Sequence, residues 1–134
     1  MDAFIYYIKL CLTSKYFNFH GRASRREFWS FYAFICIIGI LAYVLIDEMK
    51  AAYDAEGGGG LYTLVMVLVG LVCLYLVVPL LSATIRRLHD TGKSGWWVLV
   101  SLVPSIGELI LFIMCLSPSE PYDNRYGRFK PYHY

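Results

Sequence analysis

The sequence predicts an all-α integral membrane protein: three transmembrane helices and a short interfacial N-terminal segment. Hydrophobic residues make up 58% of the 134 residues and charged residues only 16%, whereas an average soluble domain has about 25% charged residues. The charges are also segregated, because runs of 19, 25 and 21 residues at 28–46, 61–85 and 96–116 contain Glu108 as their one charged side chain. A spanning helix needs about 20 apolar residues. Each run therefore qualifies as a span of one membrane domain, 1–134.

Residues 1–24 precede the first span and are predicted to lie at the membrane interface on the cytoplasmic side. This segment is aromatic and weakly basic, and a short helix would place Phe4, Ile5, Ile8 and Leu12 on one side, with aromatics at headgroup depth. An irregular segment packed on the bundle is the alternative.

The first span begins with a helix-capping pattern, Ser24-x-x-Glu27. In a capping box the serine hydroxyl accepts from the Glu27 amide and the carboxylate returns to the Ser24 amide. Capping is therefore preferred to a catalytic role for Glu27. After the span, residues 47–60 carry four acids and one lysine and end in four glycines. This composition predicts a flexible, solvated loop on the non-cytoplasmic side.

The second span is expected to kink at Pro79, with Ser82 and Thr84 offering hydroxyls to backbone carbonyls. A compact charged turn follows it. If the helix extends by one turn, Arg86 and Asp90 are spaced i,i+4 and can pair. Gly92 suits the left-handed residue that closes a helix, and Ser94 suits the cap of the next one.

The distribution of basic residues predicts the orientation. They concentrate in residues 9–26 and 86–93, whereas the acidic loop has Lys50 alone, so the N-terminus and the central turn are expected in the cytoplasm. With three spans the polar tail, 117–134, would lie outside, although it contains three basic residues. A third run that dips into the membrane and returns at 104–108 would remove this conflict. Three crossings are preferred, because each limb of such a hairpin would hold only about eight residues, too few to cross.

A cluster of five arginines at the cytoplasmic face is the main candidate site. Arginine binds phosphate oxygens in a bidentate manner, so the cluster could bind the phosphates of anionic lipids. These residues are Arg22, Arg25, Arg26, Arg86 and Arg87. Glu27, His89 and Asp90 would orient the arginines or pair with them. The competing interpretation is purely structural: the arginines anchor the helix ends, and the glycines form the turn.

Other chemistry has weaker support. His89 beside Asp90 could act as an acid/base or metal pair, but neither further ligands nor a nucleophile accompany them, and the four cysteines lack metal-site spacing. No metal or cofactor is expected. A net charge of +2 gives no support to nucleic-acid binding. Glu108 is an ionisable group inside a span and therefore a functional candidate; a shallow position beside Pro104 and Gly107 would explain it without function.

Three blocks of sequence resemble a bacterial family of small inner-membrane proteins, catalogued as domain of unknown function 805. They are Phe19-His20-Gly21-Arg22-Ala23-Ser24-Arg25-Arg26-Glu27-Phe28-Trp29, Arg86-Arg87-Leu88-His89-Asp90-Thr91-Gly92-Lys93-Ser94-Gly95-Trp96-Trp97 and Asn124-Arg125-Tyr126-Gly127. The four-glycine loop and Glu108 depart from the family pattern. The resemblance implies several hydrophobic helices in the bacterial cytoplasmic membrane and supplies no activity.

The leading functional hypothesis is a non-enzymatic membrane module that binds anionic lipid headgroups or a protein partner at its cytoplasmic rim. Membrane lipids, a second copy of the chain or another membrane protein are the expected partners. One alternative is an oligomeric transporter or channel component that uses Pro79, Pro104 and Glu108. The other is a lipid-acting membrane enzyme that uses His89 and Asp90.

Overall fold

The computed structural model describes residues 2–56 and 60–129, and within them it is helical, with one isolated antiparallel bridge between Asn124 and Gly127. The helices, in chain order, are α1 (Asp2–Leu12), α2 (Arg25–Glu56), α3 (Gly60–Asp90), a 3-10 helix (Gly95–Leu102) and α4 (Ile106–Leu116). The all-α prediction is confirmed for these residues.

Two of the helices, α2 over Arg25–Ala51 and α3 over Gly60–Asp90, are long and apolar enough to cross a membrane. Their full lengths of 32 and 31 residues correspond to about 48 and 46 Å at 1.5 Å per residue, well beyond about 30 Å of hydrocarbon. Most of their large apolar side chains face outward, as expected for surfaces solvated by lipid.

The acidic segment after the first predicted span is helical, contrary to the predicted loop. Helix α2 continues through residues 47–56 as far as Glu56. This stretch consists largely of alanine, glutamate, methionine and lysine, which favour helix, and it contains neither glycine nor proline. The helical preference of these residues therefore outweighs their polarity. Of the four glycines, 57–59 lie outside the described residues, and Gly60 begins α3.

The third apolar run does not form one spanning helix, so the prediction of three spans is not confirmed. It divides into the 3-10 helix of 8 residues and α4 of 11 residues, each about 16 Å long and too short to cross. The break falls at Pro104, which cannot donate a backbone hydrogen bond, and at Ser105, whose φ is +63°.

The two short helices pack against each other and are here called the apolar hairpin (residues 95–116). Its beginning lies against the last turn of α3, where Gly95 approaches Ile85 and His89. Its end returns to the same place, because the Cys115 carbonyl accepts from Arg87 Nε at 3.0 Å. Both ends of the apolar hairpin therefore lie beside the last turns of α3.

A cluster of buried residues lies at this same end of the molecule. Buried Cys11, Phe28, Phe31, Ala83 and Cys115 bring α1, α2, α3 and α4 together. The segment between α1 and α2 is fixed to α3, because the Ser82 hydroxyl lies 2.9 and 2.8 Å from the carbonyl oxygens of residues 15 and 18. In α3 the Thr84 hydroxyl donates to the Leu80 carbonyl at 2.8 Å, as expected near a proline.

Candidate functional site: a charged rim and an apolar cleft

Six ionised side chains meet where α2 begins and α3 ends, and together they form the charged rim. They are Lys15, Arg22, Glu27, Arg86, Arg87 and Asp90. Their burial is unusual for charged residues, since Arg86, Arg87 and Asp90 are only 1, 0 and 2% exposed.

Glu27 holds the first half of the charged rim. Its backbone N–H donates to the Ser24 hydroxyl at 3.0 Å, which confirms half of the predicted capping box. The carboxylate does not return to the Ser24 amide; it accepts instead from Lys15 Nζ at 2.9 and 3.0 Å and from Arg86 Nη1. Ion pairs with two cations stabilise this carboxylate more than one hydrogen bond from a backbone amide would. Only half of the capping box therefore forms.

Asp90 holds the second half. Its carboxylate accepts from Arg22 Nε at 2.9 Å, from Arg87 Nη1 and from the Ser119 hydroxyl. Helix α3 does extend to Asp90 as expected, but the predicted Arg86–Asp90 pair is wrong. Successive residues of a helix point about 100° apart. Arg86 therefore faces α1 and α2, and Arg87, at i,i+3, pairs with Asp90.

Two arginines also donate hydrogen bonds to the backbone carbonyls at the C-terminal end of α4. Arg87 donates from Nε to the Cys115 carbonyl and from Nη2 to the Ser117 carbonyl at 2.6 Å, while Arg25 donates to the Leu116 carbonyl at 2.9 Å. A helix C-terminus leaves carbonyls without partners and carries partial negative charge. These contacts therefore fix the returning limb of the apolar hairpin to the charged rim.

The polar tail is part of the same assembly, which the sequence did not predict. Arg22 donates to the carbonyls of Glu120 at 2.6 Å and Tyr122 at 2.8 Å. The Asn124 amide donates to the carbonyl of His89 at 3.0 Å, and Asn124 and Gly127 close a turn. The Asn124-to-Gly127 block was visible in the sequence, but nothing in it indicates the segment it contacts.

His89 and Asp90 do not form an acid/base pair. The His89 ring stacks on Tyr126 with centroids 3.8 Å apart, and its Nδ1 lies 3.3 Å from the Gly21 carbonyl. Asp90 points to the arginines instead. Among the residues that the structure describes, no three His, Cys, Asp or Glu side chains are grouped so that they could share a metal ion.

Two buried groups next to the ion pairs take no part in them: the Nε atom of Arg86 and the thiol of Cys11. Arg86 Nε is buried without a hydrogen-bond partner, and Arg86 Nη2 lies 3.9 Å from Cys11 Sγ. Burial raises the pKa of the Cys11 thiol, and the nearby Glu27 carboxylate raises it further. Cys11 is therefore a protonated, packed side chain within the rim.

The five predicted anion-binding arginines do lie near one another, but in two environments. Arg86 and Arg87 are buried and paired with carboxylates, and Arg22 is tied to Asp90 and the tail. A phosphate could reach them only by displacing these contacts. Arg25 and Arg26, in the first turn of α2, are exposed.

Glu108 lies apart from the charged rim, in an apolar cleft of about 430 Å³ between α2, α3 and the apolar hairpin. The cleft is lined on α2 and α3 by Phe28, Tyr32, Ile35, Cys36, Val77, Leu80, Leu81 and Thr84, and on the hairpin by Val98, Ser101, Glu108, Leu111, Phe112 and Cys115. Glu108 is the one charged residue in this lining.

Comparison with known proteins identifies a family and several relatives of this chain. Residues 16–128 match the model of a protein family of unknown function, DUF805. The chain is 37% identical over 122 residues to the inner membrane protein YhaH of Escherichia coli K12, covering 91% of this chain and 93% of the relative. It is 36% identical over 120 residues to the inner membrane protein YhaI of the same strain, covering 88% and 90%. No solved structure gives a significant match.

Proposed function

The chain belongs to the DUF805 family of membrane proteins, and on that premise we propose that it is a non-enzymatic inner-membrane module that binds anionic lipid headgroups at Arg25 and Arg26, beside the charged rim. Its relatives YhaH and YhaI are named inner membrane proteins. In this proposal α2 and α3 cross the bacterial cytoplasmic membrane, the apolar hairpin enters and leaves on the cytoplasmic side, and both terminal segments are cytoplasmic.

The charge distribution supports this orientation. Eleven of the twelve lysines and arginines lie in residues 9–26 and 86–130, and Lys50 is the twelfth. Because the described tail contacts Arg22 and Asp90, it lies at the same end as the N-terminal segment. The basic residues then flank one face of the membrane, as the positive-inside bias requires, and the conflict raised by three crossings disappears.

The observation that carries the proposal is an exposed arginine pair, Arg25 and Arg26, beside a rim that is rich in cations. In the described part of the chain, the ion pairs of the charged rim join four cations to two carboxylates. Each cation near an anionic membrane surface contributes about 1 kcal/mol of attraction, and arginine adds bidentate bonds to phosphate.

The experiment compares retained lipid by native mass spectrometry after extraction from the bacterial membrane. The wild type is expected to retain anionic phospholipid, and Arg25→Gln with Arg26→Gln is expected to lose most of it. Because Arg25 also donates to the Leu116 carbonyl, Arg26→Gln alone is measured as well and should lose part of the lipid. The control, Arg125→Gln with Arg128→Gln, removes the same charge from exposed tail positions and should retain lipid. Absence of anionic lipid from the wild type, or equal retention in both double variants, would contradict the proposal.

The two rim arginines at the end of α3 are unsuitable for this test. Arg86 and Arg87 are buried partners of carboxylates, so their removal would change folding and lipid binding together. The alternative of a lipid-acting enzyme used His89 and Asp90 as an acid/base pair. These two side chains contact different partners, so their geometry does not support that alternative. A protein partner or a second copy at the rim remains the alternative, and it predicts bare monomers or a dimer in the same spectra.

A further inference from the structure

The apolar cleft has the size and composition of a ligand site. Its volume of about 430 Å³ falls within the range of about 300–1,000 Å³ found for small-molecule pockets. Apolar side chains of α2, α3 and α4 form most of the wall, and Tyr32, Thr84 and Ser101 add hydroxyl groups. The wall thus suits a largely apolar occupant with a polar end.

The carboxylate of Glu108 determines which charge a ligand of the cleft should carry. It precedes Cys115 by seven residues on α4, about 10 Å of helix. The Cys115 carbonyl contacts Arg87 of the charged rim, so Glu108 lies at hydrocarbon depth when the rim is at the headgroups. Glu108 is exposed, and among the described residues its carboxylate has no hydrogen-bond or ion-pair partner. A carboxylate at this depth is costly unless a cation pairs with it.

The other groups near Glu108 cannot supply that positive charge. The titratable residues that share the lining are Tyr32 and Cys36 on α2 and Cys115 on α4, and α3 and the 3-10 helix contribute Thr84 and Ser101. None of these is a cation. Glu108 lies in the first turn of α4, where the helix N-terminus offers only a partial positive charge. That partial charge does not replace a cation beside the carboxylate.

We propose that the cleft binds a cationic amphiphile, whose apolar body fills the space between α2, α3 and the apolar hairpin and whose protonated amine pairs with Glu108. A phospholipid acyl chain alone would fill the volume but leave the carboxylate without a counter-charge. This site is independent of the anionic-lipid proposal, since none of the rim residues lines the cleft.

The test uses two photoreactive probes with the protein in phosphatidylcholine nanodiscs, which contain no anionic lipid. One probe is dodecylamine with a diazirine in its chain, and the other is the matching dodecanol. The amine is expected to label peptides of the cleft at least tenfold more than the alcohol. Glu108→Gln should lower amine labelling to the level of the alcohol, whereas the control Glu48→Gln, at an exposed position of α2, should label as the wild type does.

A second variant fills the site and keeps the carboxylate. Ser101→Leu adds bulk to an exposed wall position and should reduce labelling by the amine several-fold while the unfolding temperature is unchanged. Equal labelling by amine and alcohol in the wild type, or undiminished amine labelling in Glu108→Gln, would overturn the proposal. Either result would leave the lipid-retention experiment on Arg25 and Arg26 unaffected.

Discussion

At the scale of single residues, two carboxylates organise the charged end of the molecule. Glu27 joins α2 to Lys15 and Arg86, and Asp90 joins α3 to Arg22 and Arg87. Buried ions lose hydration, and this loss is recovered only when each of them keeps a partner. Removing one carboxylate therefore leaves two cations facing each other in a largely buried site.

Glu27→Gln is accordingly expected to destabilise the protein by about 3–5 kcal/mol, the usual cost of breaking a buried ion pair. Denaturant unfolding in detergent micelles measures it, with Glu48→Gln on the exposed far part of α2 as the control, expected within about 0.5 kcal/mol of the wild type. Adding Arg86→Met to Glu27→Gln should recover part of the loss, because the unpaired charge is removed with its partner. Equal stability of Glu27→Gln and the control would show that the pair contributes nothing.

The helix caps and the turn glycine could be predicted from the sequence, but the ion-pair partners of the carboxylates could not. Ser24 and Ser94 accept from backbone N–H groups as their positions suggested, and Gly92 adopts the expected positive φ of 75°. These features depend on residues within a few positions of one another. The partners of Glu27 and Asp90 lie up to 68 residues away, and residue type and spacing carry no information about them.

At the scale of elements, the apolar hairpin depends on one glycine at its crossing. A Cβ at Gly107 would overlap the Val100 carbonyl oxygen and lie 2.7 Å from the Val100 carbonyl carbon and 3.1 Å from Ser101 Cα. These are backbone atoms, which cannot rotate away. The run had enough apolar residues for one crossing, but Pro104 and this close approach favour two short limbs. Counting apolar residues therefore found the apolar segment and missed the break within it.

Gly107→Ala should separate the limbs and cost about 1–3 kcal/mol or more, in the range of overpacked sites. Gly70→Ala is the matched control, because its Cβ would meet nothing within 4 Å in α3 and alanine favours helix by up to about 1 kcal/mol. Thermal unfolding in micelles should therefore rank Gly70→Ala at or above the wild type and Gly107→Ala well below it. A Gly107→Ala protein as stable as Gly70→Ala would show that the limbs do not pack as described.

At the scale of the whole molecule, the contacts of the arginines fix the path of the chain after α3. Arg87 and Arg25 hold the end of α4, and Arg22 holds the tail, so the chain after the apolar hairpin cannot leave the end at which the hairpin began. Counting the apolar hairpin as a crossing would place the basic tail opposite the basic N-terminal segment. In the proposed topology, the buried ion pairs thus keep the tail on the same side of the membrane as the N-terminal segment.

Cysteine labelling tests this arrangement directly. In a protein without its native cysteines, Ser14→Cys and Tyr122→Cys should react with a membrane-impermeant maleimide from the same side, and Lys50→Cys from the opposite side. All three positions are exposed, and the backbone contact of residue 122 with Arg22 does not depend on its side chain. Intact spheroplasts should therefore label Lys50→Cys alone, and inverted membrane vesicles should label the other two. Labelling of Tyr122→Cys together with Lys50→Cys would restore the third crossing, because only a chain that passes through the membrane after Asp90 can bring residue 122 to the side of residue 50.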